Sequence, residues 1–142
     1  MQMKIQKAAL KDMAQKMRNL DIATLVTVAE DGSLAGRPMS NNADVDYDGK
    51  SYYFTYEESD KVKQISRNPE VQLAFEGDDK LYVTVTGKAE LIRDKAEFEK
   101  HWVPELEQWF AQGIDTPGMV LLCVKARQAK YWQDMEMGEW NA

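Results

Sequence analysis

The feature that most constrains this chain is a two-residue alternation between Leu81 and Ile92, where Val83 and Val85 alternate with Thr84 and Thr86. That period puts one residue type on each face of a strand and cannot form an apolar stripe on a helix. Shorter β-branched or apolar runs occur at Thr24–Ala29, Leu34–Ser40, Ser51–Tyr56, Val71–Phe75 and Met119–Ala126. Turn residues separate several of them: Glu30-Asp31-Gly32-Ser33, Asp46 to Lys50, and Gly77-Asp78-Asp79. Pro38 donates no ladder hydrogen bond, so its strand is expected at an edge or interrupted. Gly87, inside the longest strand, predicts a bulge or a close backbone approach. Six such strands predict a mainly β fold, a small antiparallel β-barrel with helices at its ends.

Helical spacing appears in three places. Leu10, Met13, Met17 and Leu20 predict an amphipathic helix over residues 3–20, with Lys4, Lys7, Lys11, Lys16 and Arg18 mostly on its solvated side. Ser59 is placed to cap a short helix from Asp60 to Arg67, which Asn68-Pro69 ends. Residues 95–112 predict a helix in two pieces, broken before Pro104. The last strand is expected to end near Ala126, with Tyr131 and Trp132 beyond it.

The 142 residues fit one domain, here taken as 1–142, and 44% are hydrophobic, enough for a core. A net charge of −6 argues against nucleic acid and against an anionic membrane surface as partners. No apolar run is long enough to cross a bilayer, and the N-terminal lysines are followed by no signal-peptide core. Cys123 is the only cysteine, so an internal disulfide is excluded and a reducing, cytoplasmic location is expected. His101 is the only histidine, which leaves no histidine metal site and no serine–histidine hydrolase. No metal is expected. Cys123 lies in an apolar strand and is expected to be buried and inert.

One group stands apart. Arg37, Ser59 and Lys61 bring two cations and a hydroxyl to a helix start, the donor set a phosphate monoester needs. The alternative is an ordinary cap beside cations that pair with Glu57, Glu58 or Asp60. Spacing alone leaves the two balanced. Trp132 and Tyr131 are open in the same way, between stacking on a planar ligand and packing in a core or interface.

The segments "LVTVAEDGSLAGRPM", "YYFTYEESDKVKQISRNPEVQLAF", "YVTVTGKAEL" and "KYWQ", in that order and spacing, resemble the pyridoxamine 5′-phosphate oxidase-like split-barrel flavoproteins, and among them the general stress protein 26-like group. The resemblance runs over about residues 22–133. It implies a six-stranded split barrel, a homodimer, and FMN bound in clefts at the subunit interface. By motif, Arg37 would meet the phosphate or ribityl chain, and Ser59 and Lys61 would hold the phosphate. Pro38, Met39 and Ser40 would line the ring edge through their backbone, and Phe54 and Thr55 would lie beside it. Trp132 would reach the flavin of the other subunit. The implied function is a flavin-dependent oxidoreductase with no acid or base identified, or a flavin-binding or sensing stress protein without turnover. Three departures argue against pyridoxamine phosphate oxidase activity itself. Asp60 stands where the oxidases resemble Ser-Arg-Lys, Asn42 stands where they have a lysine, and "DMEMGEW" after Trp132 lacks their Arg-x-His.

Overall fold

The computed structural model of the chain describes residues 5–41 and 46–142. Asn42 and the first residues of the expected N-terminal helix lie outside the described residues. The elements are β1 (Ile5–Lys7), α1 (Leu10–Met17), β2 (Ile22–Val28), β3 (Leu34–Ser40), β4 (Lys50–Tyr56), α2 (Asp60–Arg67), β5 (Glu70–Glu76), β6 (Leu81–Ile92), α3 (Lys95–His101), β7 (Met119–Gln133) and β8 (Glu136–Asn141). Two 3-10 turns, Pro104–Gln108 and Gly113–Asp115, fill the connection between α3 and β7.

Strands β3, β2, β5, β6, β7 and β4 pair in that order, each antiparallel to its neighbour. They surround one core, with Leu25, Leu73, Val83, Val85, Leu122 and Val124 all completely buried. The two end strands, β3 and β4, are not hydrogen-bonded to each other, so the barrel has an open seam. Pro38 lies on β3 at that seam, where a missing N–H costs no ladder bond. The alternation in β6 does what the sequence implies. Val83 and Val85 face the core, while Thr84 and Thr86 face outward and remain partly exposed.

Gly87 sits at a register shift in the β6–β7 ladder. A Cβ there would lie 1.9 Å from the Lys125 carbonyl oxygen, so the position requires the close approach that only glycine allows. The β2–β3 hairpin turns through Gly32 at φ +85°, and Asp31 Oδ1 accepts from the Ser33 N–H (2.9 Å) and hydroxyl (2.6 Å).

Three expectations are corrected. The N-terminal helix is shorter than residues 3–20, spanning Leu10–Met17, because Ile5–Lys7 pair in parallel with Met137–Glu139 of β8. Met13 and Met17 still carry it into the core. The helical segment over 95–112 does break before Pro104, but only its first piece, α3, is an α-helix; from Pro104 onward the chain makes 3-10 turns. The last of the six expected strands continues to Gln133 and is followed by β8, which with β1 makes eight strands among the described residues rather than six. Tyr131 and Trp132 therefore lie within β7 and not beyond it. Glycine at 138 makes that hairpin possible, because a Cβ would lie 2.0 Å from the Tyr131 ring packed over it.

Candidate functional site

The open seam is bridged by side chains from α2. Val62 and Ile65 bury one face of this helix in the core, which leaves Lys61 and Gln64 directed at the seam strands. Lys61 Nζ donates to Thr55 Oγ1 on β4 at 2.9 Å. Gln64 Oε1 accepts from Arg37 Nη2 on β3 at 3.0 Å and from Thr27 Oγ1 on β2 at 2.5 Å. Arg37 Nη1 also donates to Thr27 Oγ1 (2.8 Å) and to the Leu25 carbonyl (3.1 Å).

The two cations are close enough to raise each other's cost. Burial depresses the Lys61 pKa, repulsion from Arg37 adds to the depression, and Asp60 partly offsets it. Burial likewise lowers the Arg37 pKa, against the attraction of Asp60. Neither cation forms an ion pair among the described residues, although Asp60 lies near both. Of the other two candidate partners, Glu58 pairs with neither cation, and Glu57 is committed elsewhere: Arg93 grips it at 2.5 and 2.9 Å. The arrangement is a half-buried pair of positive charges with hydrogen-bonded support and no ion-paired counter-charge. Such a site favours an anion.

Ser59 stands at the helix start, but its hydroxyl donates to the Tyr56 carbonyl at 2.8 Å and does not cap the helix. The first-turn N–H groups of α2 therefore receive no bond from it. Thr55 is buried on the core face of β4. Phe54 is on the other face, against Phe98 and Trp102 at ring-centroid distances of 5.8 and 5.5 Å.

Along β3, side chains alternate in the same way. Arg37 and Met39 turn toward the core side, while Pro38 and Ser40 share the outer face with Thr24 and Ile22 of β2. The Ser40 hydroxyl donates to Asp21 at 2.6 Å. Near the far end of the seam, a cleft of about 350 Å³ is lined by Ser40, Asn41, Tyr52, Phe54, His101 and Trp102, among others. Its size falls within the ~300–1,000 Å³ usual for small-molecule sites. His101, at the end of α3, stacks on Tyr52 with ring centroids 3.7 Å apart. Cys123 is buried, and its thiol pKa is raised chiefly by that burial.

Trp132 is not brought to this seam. Its register partners are Tyr82 and Met137, on the outer face. Leu121, the partner of Phe54, is near the opposite end of β7, on the order of 30 Å away along an extended strand. The structure thus brings together Arg37, Thr55 and Lys61, sets Ser40 and Phe54 at the cleft further along the seam, and leaves Trp132 apart. Sequence reasoning missed Thr27 and Gln64. Nothing in the spacing links a mid-strand threonine to the second turn of a helix. The polar residue facing inward at 27 was the available signal.

The sequence profile described as "Pyridoxamine 5'-phosphate oxidase like" matches residues 8–139. None of the curated proteins compared with the chain matched it. Solved structures share the fold. A Clostridium acetobutylicum protein related to general stress protein 26 of B. subtilis is 21% identical, with a TM-score of 0.79 and 93% of each chain covered. The general stress FMN/FAD binding protein of Xanthomonas citri is 22% identical, with a TM-score of 0.74 and 87% of each chain covered. A heme binding protein from Mycobacterium smegmatis is 13% identical, with a TM-score of 0.74, covering 97% of this chain and 60% of that one. With the profile spanning all but the two ends of the chain, and with the same split-barrel fold in these proteins, the chain belongs to the pyridoxamine 5′-phosphate oxidase-like family.

Proposed function

We propose that this protein binds FMN as a cytoplasmic homodimer and acts as a flavin-dependent oxidoreductase of the general stress protein type. The observation that carries the reading is the Arg37–Lys61 pair, held half-buried without an ion-pair partner among the described residues. A dianionic phosphate supplies the missing counter-charge. Arg37 and Lys61 would hold it, with first-turn N–H groups of α2 as further donors. The cleft lined by Ser40 and Phe54 would take the ring, offering an aromatic wall on one side. The chemistry such a cofactor supplies is hydride and electron transfer at its ring. The residues of this chain bind and orient it and keep water from one face.

The dimer is supported by the outer face of the sheet. There, Ile22 and Tyr82 are 55% and 49% exposed on either side of Glu76, with Thr24 and Ala74 in the adjacent row and Trp132 and Met137 continuing beyond Tyr82. Exposed apolar side chains grouped on one face, interrupted only by Glu76, favour coverage by a second copy. Trp132 would then approach the seam of the other subunit, which its distance from its own seam requires.

The test is the visible spectrum of purified protein with FMN added to saturation. Bound flavin should give the yellow flavin bands and quenched fluorescence, and light scattering should report a dimer. Colourless protein that leaves FMN fluorescence unchanged would overturn the proposal, and a haem-type spectrum would redirect it. A role in binding alone is the second reading, favoured by the absence of any acid–base pair at the seam among the described residues. It predicts bound FMN that NADH and NADPH do not reduce.

A further inference from the structure

We propose that Gln64 is the positioning residue of the anion site, holding Arg37 so that one edge of its guanidinium faces the ligand with its charge intact. This rests on the anion-site reading above. The argument is a count of donors. A guanidinium has five N–H groups. Both N–H groups of Nη1 are used, one by the Leu25 carbonyl and one by Thr27 Oγ1. Nη2 gives one to Gln64 Oε1. Thr27 Oγ1 and Gln64 Oε1 are themselves 2.5 Å apart, so they occupy the end of the fork between Nη1 and Nη2. What remains is the side edge, Nε–H and the second Nη2–H, neither of which has a partner among the described residues. That edge is the one that grips two oxygens of a phosphate side by side.

The identity of residue 64 matters as much as its place. An amide oxygen accepts from Arg37 without cancelling its charge. A carboxylate at the same position would accept equally well but would form an ion pair and neutralise the site. An apolar side chain would leave Nη2 unsupported and let the fork rotate. Thr27 cannot do the task alone. Its single hydroxyl proton has two acceptors in reach, Gln64 Oε1 at 2.5 Å and the Ala35 carbonyl at 3.4 Å from Oγ1, and the nearer contact relays orientation between strand and helix. Thr27 is completely buried, which keeps this relay out of competing solvent.

The test compares wild type, Gln64→Glu and Gln64→Met for binding of FMN, riboflavin and inorganic phosphate. FMN and riboflavin are followed by fluorescence quenching and phosphate by thermal shift. Gln64→Glu should weaken FMN at least tenfold at neutral pH and leave riboflavin unchanged. Relative to wild type at each pH, the loss should fade under acid conditions, as the introduced carboxylate takes up a proton and again resembles an amide. A merely structural role would show no such recovery. Gln64→Met should weaken FMN several-fold with no pH-dependent recovery. Equal weakening of FMN and riboflavin, or unchanged FMN binding in both variants, would overturn the assignment. If wild type binds phosphate but not FMN, the flavin reading falls, and loss of phosphate binding in Gln64→Glu would still support the positioning role. If wild type binds neither, both fall.

Discussion

Lys61→Met isolates the charge of the seam from its shape. Methionine keeps most of the aliphatic stem while removing the ammonium group. Lys61 has three donors and spends one on Thr55 Oγ1, so two remain for a phosphate. A charge-assisted hydrogen bond contributes about 1.5–3 kcal/mol. Loss of one such contact predicts a rise in the FMN dissociation constant of roughly 10- to 150-fold, since about 1.4 kcal/mol is tenfold. Riboflavin, which lacks the phosphate, should bind wild type and variant equally. Arg37→Ala should behave in the same way. The assay is flavin fluorescence quenching at fixed ionic strength, with the thermal midpoint of unliganded protein as a folding control. Equal weakening of FMN and riboflavin would refute the assignment of the phosphate to this end of the seam. So would an unchanged FMN constant.

Other consequences are open to direct measurement. Lys61 is depressed mainly by burial, so FMN affinity should fall as pH rises through its lowered pKa in the alkaline range. The unliganded protein should gain stability over the same window, because the unfolded chain holds that proton more tightly; Lys61→Met should abolish both trends. Gly87→Ala should destabilise the fold by about 2–4 kcal/mol in urea denaturation, since a Cβ 1.9 Å from the Lys125 carbonyl oxygen forces the bulge apart. Ile22→Glu, on the exposed outer face, should yield monomers in light scattering and weaken FMN without lowering the thermal midpoint of the subunit. A dimer that persists with unchanged FMN affinity would count against that face as the interface.

Much of the barrel is legible because its strands carry their own face assignment. Thr24–Ala29, Ser51–Tyr56, Val71–Phe75 and Leu81–Ile92 each alternate, and the core takes one set from each. The parts that escape notice depend on partners distant in sequence. Ile5–Lys7 is a strand only because Met137–Glu139 lies beside it, and no three-residue exposed segment announces such a partner. The tail after Ala126 is polar and aromatic in mixture, since β7 leaves its doubly buried stretch there and gains a solvent side. At the site, the cations could be identified from residue type, but their lack of ion-pair partners could not. It depends in part on Arg93, distant in the chain, taking Glu57. The Ser59 hydroxyl shows the opposite limit. Its position predicts a cap, yet its oxygen accepts from no first-turn N–H, and the hydroxyl turns back to donate to the Tyr56 carbonyl.

β7 has β6 beside it from Leu121 to Gln133 and divides its other edge between β4 at the start and β8 at the end. The edge beyond Ala126 is therefore sheltered only by the terminal hairpin. A chain cut after Gln133 would keep the barrel strands but bare a row of backbone donors and acceptors from Gln128 to Gln133, flanked by Tyr131 and Trp132. Such an edge is a template for strand addition by other chains. The last residues thus act as a guard strand, and losing them should turn a discrete protein into one that associates edge to edge before it unfolds.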